Sequence, residues 1–424
     1  MRDWETRRLK TFLTETKETV GTKSADYTLL SLTKEGVIIR DMDGGGKFPS
    51  DFGAYKIVTK GQIIFCLFDV DETPRTVGLS KHDGMITGAY DIFNIDNIEP
   101  KFLEYYFIAV DNVKGLRPLY TGLRKVVSKD TFMQIKIPLP PRDEQGQIVR
   151  YLDWKVSQVN RLINAKQRQI GLLGEQRRKA VDDTIGNTNG EQYRFRHLFS
   201  LSKGLGITKA DLKEDGIPCV SYGEIHSKYG FEVDPAIHPL KCVDDSYLTS
   251  SPKSLLQYGA FVFADTSEDL VGSGNFTYLN SNIKAFAGYH TIIARANRPF
   301  KPRYIAYYFA SNHYRSQIQQ KVNGVKVYSI TRTILNSTHV HLPDEAEQAR
   351  VIAVLDKQCS HIDRAIALLR QELTLFAEYR TRLISDVVTG RVDVRDIMVP
   401  EGEIVGDVAA NGDADDDTIE MEDE

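Results

Sequence analysis

The chain has 424 residues, of which 41% are apolar, 26% charged and 10% aromatic. These are the proportions of a folded globular protein, at a length that calls for two or three domains. No run of 18 apolar residues occurs, the opening MRDWETRRLKTF lacks the apolar centre of a secretory signal, and the four cysteines (Cys66, Cys219, Cys242, Cys359) form no CxxC pair. Membrane spans, disulfide frameworks and zinc sites are disfavoured, and a reducing cytoplasm is expected. The net charge of −4 is unevenly placed: residues 401–424 hold 11 acidic and no basic groups, which leaves 47 acidic against 54 basic residues, about +7, on the remainder. A mildly basic body with an acidic, disorder-prone tail permits contact with nucleic acid.

From the N-terminus, short β-like runs such as VIIR and IIFCLF alternate with Gly- and Asp-rich turns and lead to an aromatic helix, PKFLEYYF at Pro100. That is an α+β pattern. The triplet Tyr105-Tyr106-Phe107 reads as core on this helix rather than as a base-stacking platform. Prolines then end the domain in IPLPPRDEQGQIVRYLDWKVSQVNRLI, which starts at Ile137 and opens a helix. Its apolar seam, spaced three and four apart, runs Val149, Leu152, Val156, Val159, Ile163, Lys166, Ile170, Leu173, Arg177, Ala180, Thr184.

The second half repeats the first. VHLPDEAEQARVIAVLDKQCSHIDRAI from Val340 superposes at a shift of 203, matching Pro140 with Pro343, Glu144-Gln145 with Glu347-Gln348 and Leu152-Asp153 with Leu355-Asp356. The seam recurs as Ile352, Leu355, Cys359, Ile362, Ile366, Leu369, Leu373, Phe376, Arg380, Leu383, Val387. One seam kept over five heptads in two copies predicts a pair of coiled-coil helices. Leu152, Val159, Ile163, Ile170 and Leu173 are expected to pair with Leu355, Ile362, Ile366, Leu373 and Phe376. Upstream, PRYIAYYF at Pro302 matches PKFLEYYF, and three glycines find partners: Gly61 with Gly259, Gly88 with Gly288, and Gly122 with Gly324.

The expected organisation is an α+β domain over 1–141, a long helix over 142–187, a second α+β domain over 188–343, a second long helix over 344–390, and a terminal segment with the acidic tail over 391–424. The fold class read from this pattern is α+β: two similar domains separated by two long helices that form a coiled coil.

Catalytic constellations are missing. There is no GxxxxGK[ST] and no HExxH, the nine histidines lack metal-ligand or triad spacing, and the glycines of LVGSGNF read as a turn. No catalytic residue, metal or cofactor is expected in the chain.

With two diverging domains, each followed by an L-P element and a long helix, the sequence resembles the specificity subunits of type I restriction–modification systems. IPLPPRDEQ-QIV-YLD, LPDEAEQ-VI-VLD and the ending YRTRLISDVVTGRVDV carry the resemblance over nearly all of residues 1–400. Residues 1–30 depart from the family's opening strand, and the acidic tail is foreign to its pattern. The resemblance implies that the two long helices pack antiparallel with pseudo-twofold symmetry, and that target-recognition domains each read one half of a split, asymmetric double-stranded DNA site. It also implies two modification subunits that bind S-adenosylmethionine, and restriction subunits that use ATP and magnesium.

Reading bases requires basic, amide or aromatic side chains on loops. The candidates in the first domain are Lys47, Arg75, Lys81, Arg124 and Lys125. In the second they are Lys203, Lys209, Tyr222, Lys228, Tyr229, Lys326, Tyr328 and Arg332. Arg124 and Lys326 stand out because each lies two residues past a matched glycine. A coiled-coil adaptor with two protein-binding domains is the competing class; it gives no reason for a body of about +7.

Overall fold

A computed structural model describes residues 4–41, 49, 51–120, 125–324 and 327–400. The chain forms two compact units, one of Met1–Arg168 with Leu369–Glu424 and one of Gln169–Leu368. Each unit holds an α+β domain and one end of both long helices, Arg142–Gly186 and Glu345–Val388.

In the first unit an antiparallel sheet orders its strands Leu13–Thr16, Asp91–Ile95, Ile63–Phe65, Val77–Leu79. The second unit repeats this with Phe199–Lys203, Thr291–Ala296, Phe261–Ala264, Phe276–Leu279, and adds Phe231–Val233 as a parallel fifth strand. The matched glycines Gly61 and Gly259 start the central strand of each sheet at φ +92 and +78. That left-handed backbone suits glycine, and each N–H closes the hairpin to the next strand, at Ser80 O and Leu279 O.

The aromatic helices, Pro100–Asn112 and Pro302–Ala310, pack on these sheets. Phe107 meets Phe65 edge to face, and Phe309 does the same with Phe261. Tyr105, Phe107, Tyr307, Tyr308 and Phe309 are all buried, so the triplets are core.

The residues kept alike between the copies join each aromatic helix to a long helix. Gln145 accepts from Glu99 N at 2.8 Å and donates to Pro140 O at 2.8 Å; Gln348 does the same with Lys301 N and Pro343 O, both at 2.9 Å. One buried amide thus satisfies the N–H at the start of the aromatic helix and the carbonyl just ahead of the long helix. About two turns later, Asp153 accepts from the Tyr105 hydroxyl at 2.7 Å and pairs with Lys101 at 2.6 Å. Asp356 takes Tyr307 and Arg303, both at 2.6 Å. The strand before each long helix also pairs with the first strand of its own domain: Lys136–Leu139 with Glu5–Arg8, and His339–Leu342 with Glu191–Arg194.

Within each unit the long helices run antiparallel. In the first, Ile148 and Leu152 share a core with Ile384, Val387 and Val388; in the second, Val181 and Ile185 share one with Val351, Leu355 and Cys359. No seam position is exposed: Leu152, Val159 and Leu355 are buried, while Ile163, Ile170, Leu173, Ile362, Ile366, Leu373 and Phe376 are half-buried. The polar interruptions are paired across the seam. Arg177 donates to Asp363 at 2.8 Å, Arg380 donates to Asn160 at 2.7 Å, and Lys166 reaches Glu372 at 2.7 Å. The first two pairs are each other's image under the shift of 203, so both copies keep one register.

Glu104 on the first aromatic helix accepts from Leu79 N at 2.9 Å, capping an edge strand whose counterpart in the second unit is covered by Phe231–Val233. Burial raises the Glu104 pKa above the usual carboxylate value, against the lowering effects of the Leu79 N–H and of Lys101 and Lys81. A carboxyl whose folded pKa is raised costs stability as pH climbs from its unfolded to its folded pKa, and the cost persists above. Glu104→Gln keeps the acceptor and removes the charge. Its unfolding midpoint should exceed wild type at pH 7–8 and converge with it near pH 4; an equal midpoint at pH 8 refutes this. Gln348→Ala leaves two backbone groups unmet, and urea unfolding should register a loss of about 2–4 kcal/mol. Less than 1 kcal/mol would mean that water replaces the amide at no cost.

Candidate nucleic-acid interface

Strand direction decides which loops meet. In the second unit the central strand ends at Ala264, opposite Thr291, where Thr291–Ala296 begins; Phe199–Lys203 ends at the same edge, with Lys203 opposite Ile292. The strand Ile217–Val220 runs parallel to Ala285–Ala287 and delivers Ser221 and Tyr222 beside Gly288, whose N–H donates to Val220 O at 2.7 Å. A Cβ on Gly288 would lie 2.2 Å from Ser221 Oγ, so only glycine lets these two loops close. Thr266–Ser267 pairs with Tyr328–Ser329, and Ile330 N donates to Asp265 O at 2.8 Å. The sheet therefore gathers Lys203, Tyr222, Asp265, His290 and Tyr328 on one rim. Arg332 follows at the start of a helix that Thr331 caps.

A hydrogen-bonded chain stiffens this rim. Arg315 donates to Asn275 Oδ1 at 2.8 Å, and the Asn275 amide meets His226 Nδ1 at 2.8 Å. His226 Nε2 reaches Thr266 O at 2.8 Å. Since Nε2 faces a carbonyl it carries the proton, and Nδ1 is the acceptor.

The first unit builds the same rim with other groups. Phe65 lies opposite Asp91, Phe68 bridges Val126, and Asp69 N donates to Lys125 O at 2.7 Å. Tyr90 stacks on Phe68 with ring centroids 6.1 Å apart, and burial pushes its hydroxyl up to about 12. Beside it, burial pushes the Cys66 thiol up to about 11, which keeps the sulfur protonated and weakly nucleophilic. Lys129 pairs with Asp91 at 2.9 Å and with Glu15, and Lys56 donates to Tyr90 O at 2.5 Å.

The sequence candidates divide accordingly. Lys203, Tyr222 and Tyr328 come together on the second rim, and Lys125 lies on the first, where Glu72 and Asp71 pair with it. Arg75 is taken up by Asp111 at 3.0 Å, with its side chain 16% exposed, and ties a hairpin to the aromatic helix. Lys81 follows Val77–Leu79, whose Leu79 faces Ile63, and so lies at the opposite end of its sheet from Lys125. Lys209 sits exposed on a separate turn, Lys209–Asp211. Lys228 and Tyr229 follow the far end of the helix Tyr222–Ser227, where Tyr229 stacks on His238 and donates to Pro239 O. Lys47, Arg124, Lys326 and the acidic tail lie outside the described residues. Asp265, His290, Tyr90, Lys56 and Lys129 escaped the sequence reading. Tyr90 and His290 carried a usable signal, because each stands two residues past the matched glycines Gly88 and Gly288.

Known proteins share this organisation. A model of the type I restriction modification DNA specificity domain matches residues 85–171. The specificity subunit of the type I restriction enzyme MjaVIII of Methanocaldococcus jannaschii is 20% identical over 292 residues, 64% of this chain and 65% of that protein, just under two thirds of its length. The putative type I restriction enzyme MjaX specificity subunit of the same organism is 21% identical over 439 residues, 93% of this chain and 94% of that one. A solved structure described as the basis of complex assembly and conformational transition of the type I R-M system superposes with a TM-score of 0.63 at 14% identity, covering 92% of this chain and 98% of its own. The two α+β domains and the paired long helices agree with these matches: residues 85–171 match the type I restriction modification DNA specificity domain, and the chain as a whole is similar to type I restriction enzyme specificity subunits.

Proposed function

We propose that the chain is the non-catalytic reader of a bipartite, asymmetric DNA site, one half-site per α+β domain, and that it works in the cytoplasm. The observation that carries this is the repeated rim: one topology in both units, presenting Lys125, Tyr90 and Lys129 in the first and Lys203, Tyr222, His290 and Tyr328 in the second. A shared frame with different side chains suits two half-sites of different sequence. Each long helix, of 45 and 44 residues, would measure about 65 Å and serve as a spacer.

Two modification subunits that bind S-adenosylmethionine and methylate adenine, and restriction subunits that use ATP and magnesium, complete the assembly. Apolar side chains on the long helices support such docking. Leu162, Leu375 and Tyr379 in the first unit, and Leu172 and Leu368 in the second, are each 46% or more exposed.

The test is binding by the chain joined with its modification subunits to duplexes of known sequence across a salt series. Alone, the chain should bind weakly; in the complex, footprinting should show two protected stretches of unlike sequence. Neutralising six or more phosphates would make affinity fall on the order of 10³-fold or more between 50 and 200 mM salt. A complex without sequence preference or salt dependence would point to the protein-binding adaptor instead.

A further inference from the structure

We infer that His290, oriented by Asp265 and Tyr222, is a base-reading group of the second unit and determines specificity at one position of its half-site; the inference rests on the proposed DNA-reading function.

The ring is held from three sides. Asp265 Oδ1 lies 3.3 Å from His290 Nδ1, Asp265 N donates to His290 O at 3.0 Å, and the Tyr222 and Tyr289 rings meet the imidazole edge to face at 5.4 and 6.0 Å. Its backbone sits at φ +54, an uncommon conformation for a residue with a side chain, although histidine adopts it more readily than most. Such a residue persists where its surroundings over-determine it, a pattern that concentrates at binding sites. Even so, the His290 side chain is 56% exposed. Core packing therefore does not account for the three-sided grip, and a side chain fixed in place yet open to water is what recognition requires.

The chemistry of the open atom follows from the closed one. With Nδ1–H directed to Asp265, the neutral ring presents Nε2 as an acceptor, and among the described residues Nε2 has no hydrogen-bond partner. Its complement in a major groove is an exocyclic amino group, N6 of adenine or N4 of cytosine. The matched turn of the first unit carries Tyr90, half-buried and stacked on Phe68. The same position thus carries an exposed imidazole in one unit and a half-buried phenol in the other, a difference suited to unlike half-sites.

The experiment uses the full chain in complex with its modification subunits and a duplex library randomised in both half-sites. Asn and Gly both accept the left-handed backbone, so His290→Asn and His290→Gly preserve the turn while replacing or removing the acceptor. The expected result is a 5- to 100-fold loss of discrimination at one position of one half-site, about what a single base contact contributes, with the other half-site and the salt slope unchanged. Unchanged preferences in both half-sites overturn the inference. So does a uniform loss across all sequences with a shallower salt slope, which marks a phosphate contact, and so does failure of both variants to fold, which marks a structural role. A wild-type complex without sequence preference removes the proposed function, and this inference with it.

Discussion

Both units depend on a buried side-chain amide that serves two backbones at once. Where an aromatic helix begins beside a long helix, two main-chain groups face an apolar interior, and an unmet polar group there is costly. Gln145 and Gln348 meet both needs with a single residue. About two turns further on, Asp153 and Asp356 collect a tyrosine hydroxyl and a cation. Directional bonds at two points about two turns apart fix the rotation of one helix on the other as well as their separation, which apolar packing alone would leave looser. The sheet and its rim follow from that placement, because the aromatic helix is the floor on which the sheet rests.

Around this frame the two copies diverge where water and charge allow it. The first unit ends its sheet at an edge strand capped by Glu104; the second covers the same edge with Phe231–Val233. Across the seam, Arg177 faces a carboxylate while Arg380 faces an amide. Polar pairs across a coiled-coil seam favour one alignment over slipped alternatives, so these half-buried arginines help to set register where the leucines would tolerate several.

The repeat, the helices and their seam were legible because each rests on spacing that one chain displays. Leu139-Pro140, Glu144-Gln145 and Leu152-Asp153 stood out as matches before their contacts were known, and those contacts explain why matching residues are needed. The rim was less legible, because it depends on strand direction and on partners distant in sequence. Nothing near Arg75 announces Asp111, 36 positions away, as its partner. Lys81 looks equivalent to Lys125 until the hairpin carries it to the other end of the sheet. The parallel strand Phe231–Val233 is three residues long and owes its existence to Phe276–Leu279, so no local pattern could declare it. His290 was missed for a different reason: its neighbours Asp265 and Tyr222 arrive from two other loops.

The pairing of each domain's first strand with its last, Glu5–Arg8 with Lys136–Leu139 and Glu191–Arg194 with His339–Leu342, brings the chain back to where it left. Entry and exit then adjoin at the foot of a long helix, the arrangement in which a whole insert can be exchanged without disturbing its host. Each α+β domain is in that sense a cassette. Recombination at the two short flanking strands could replace one cassette and leave both helices untouched.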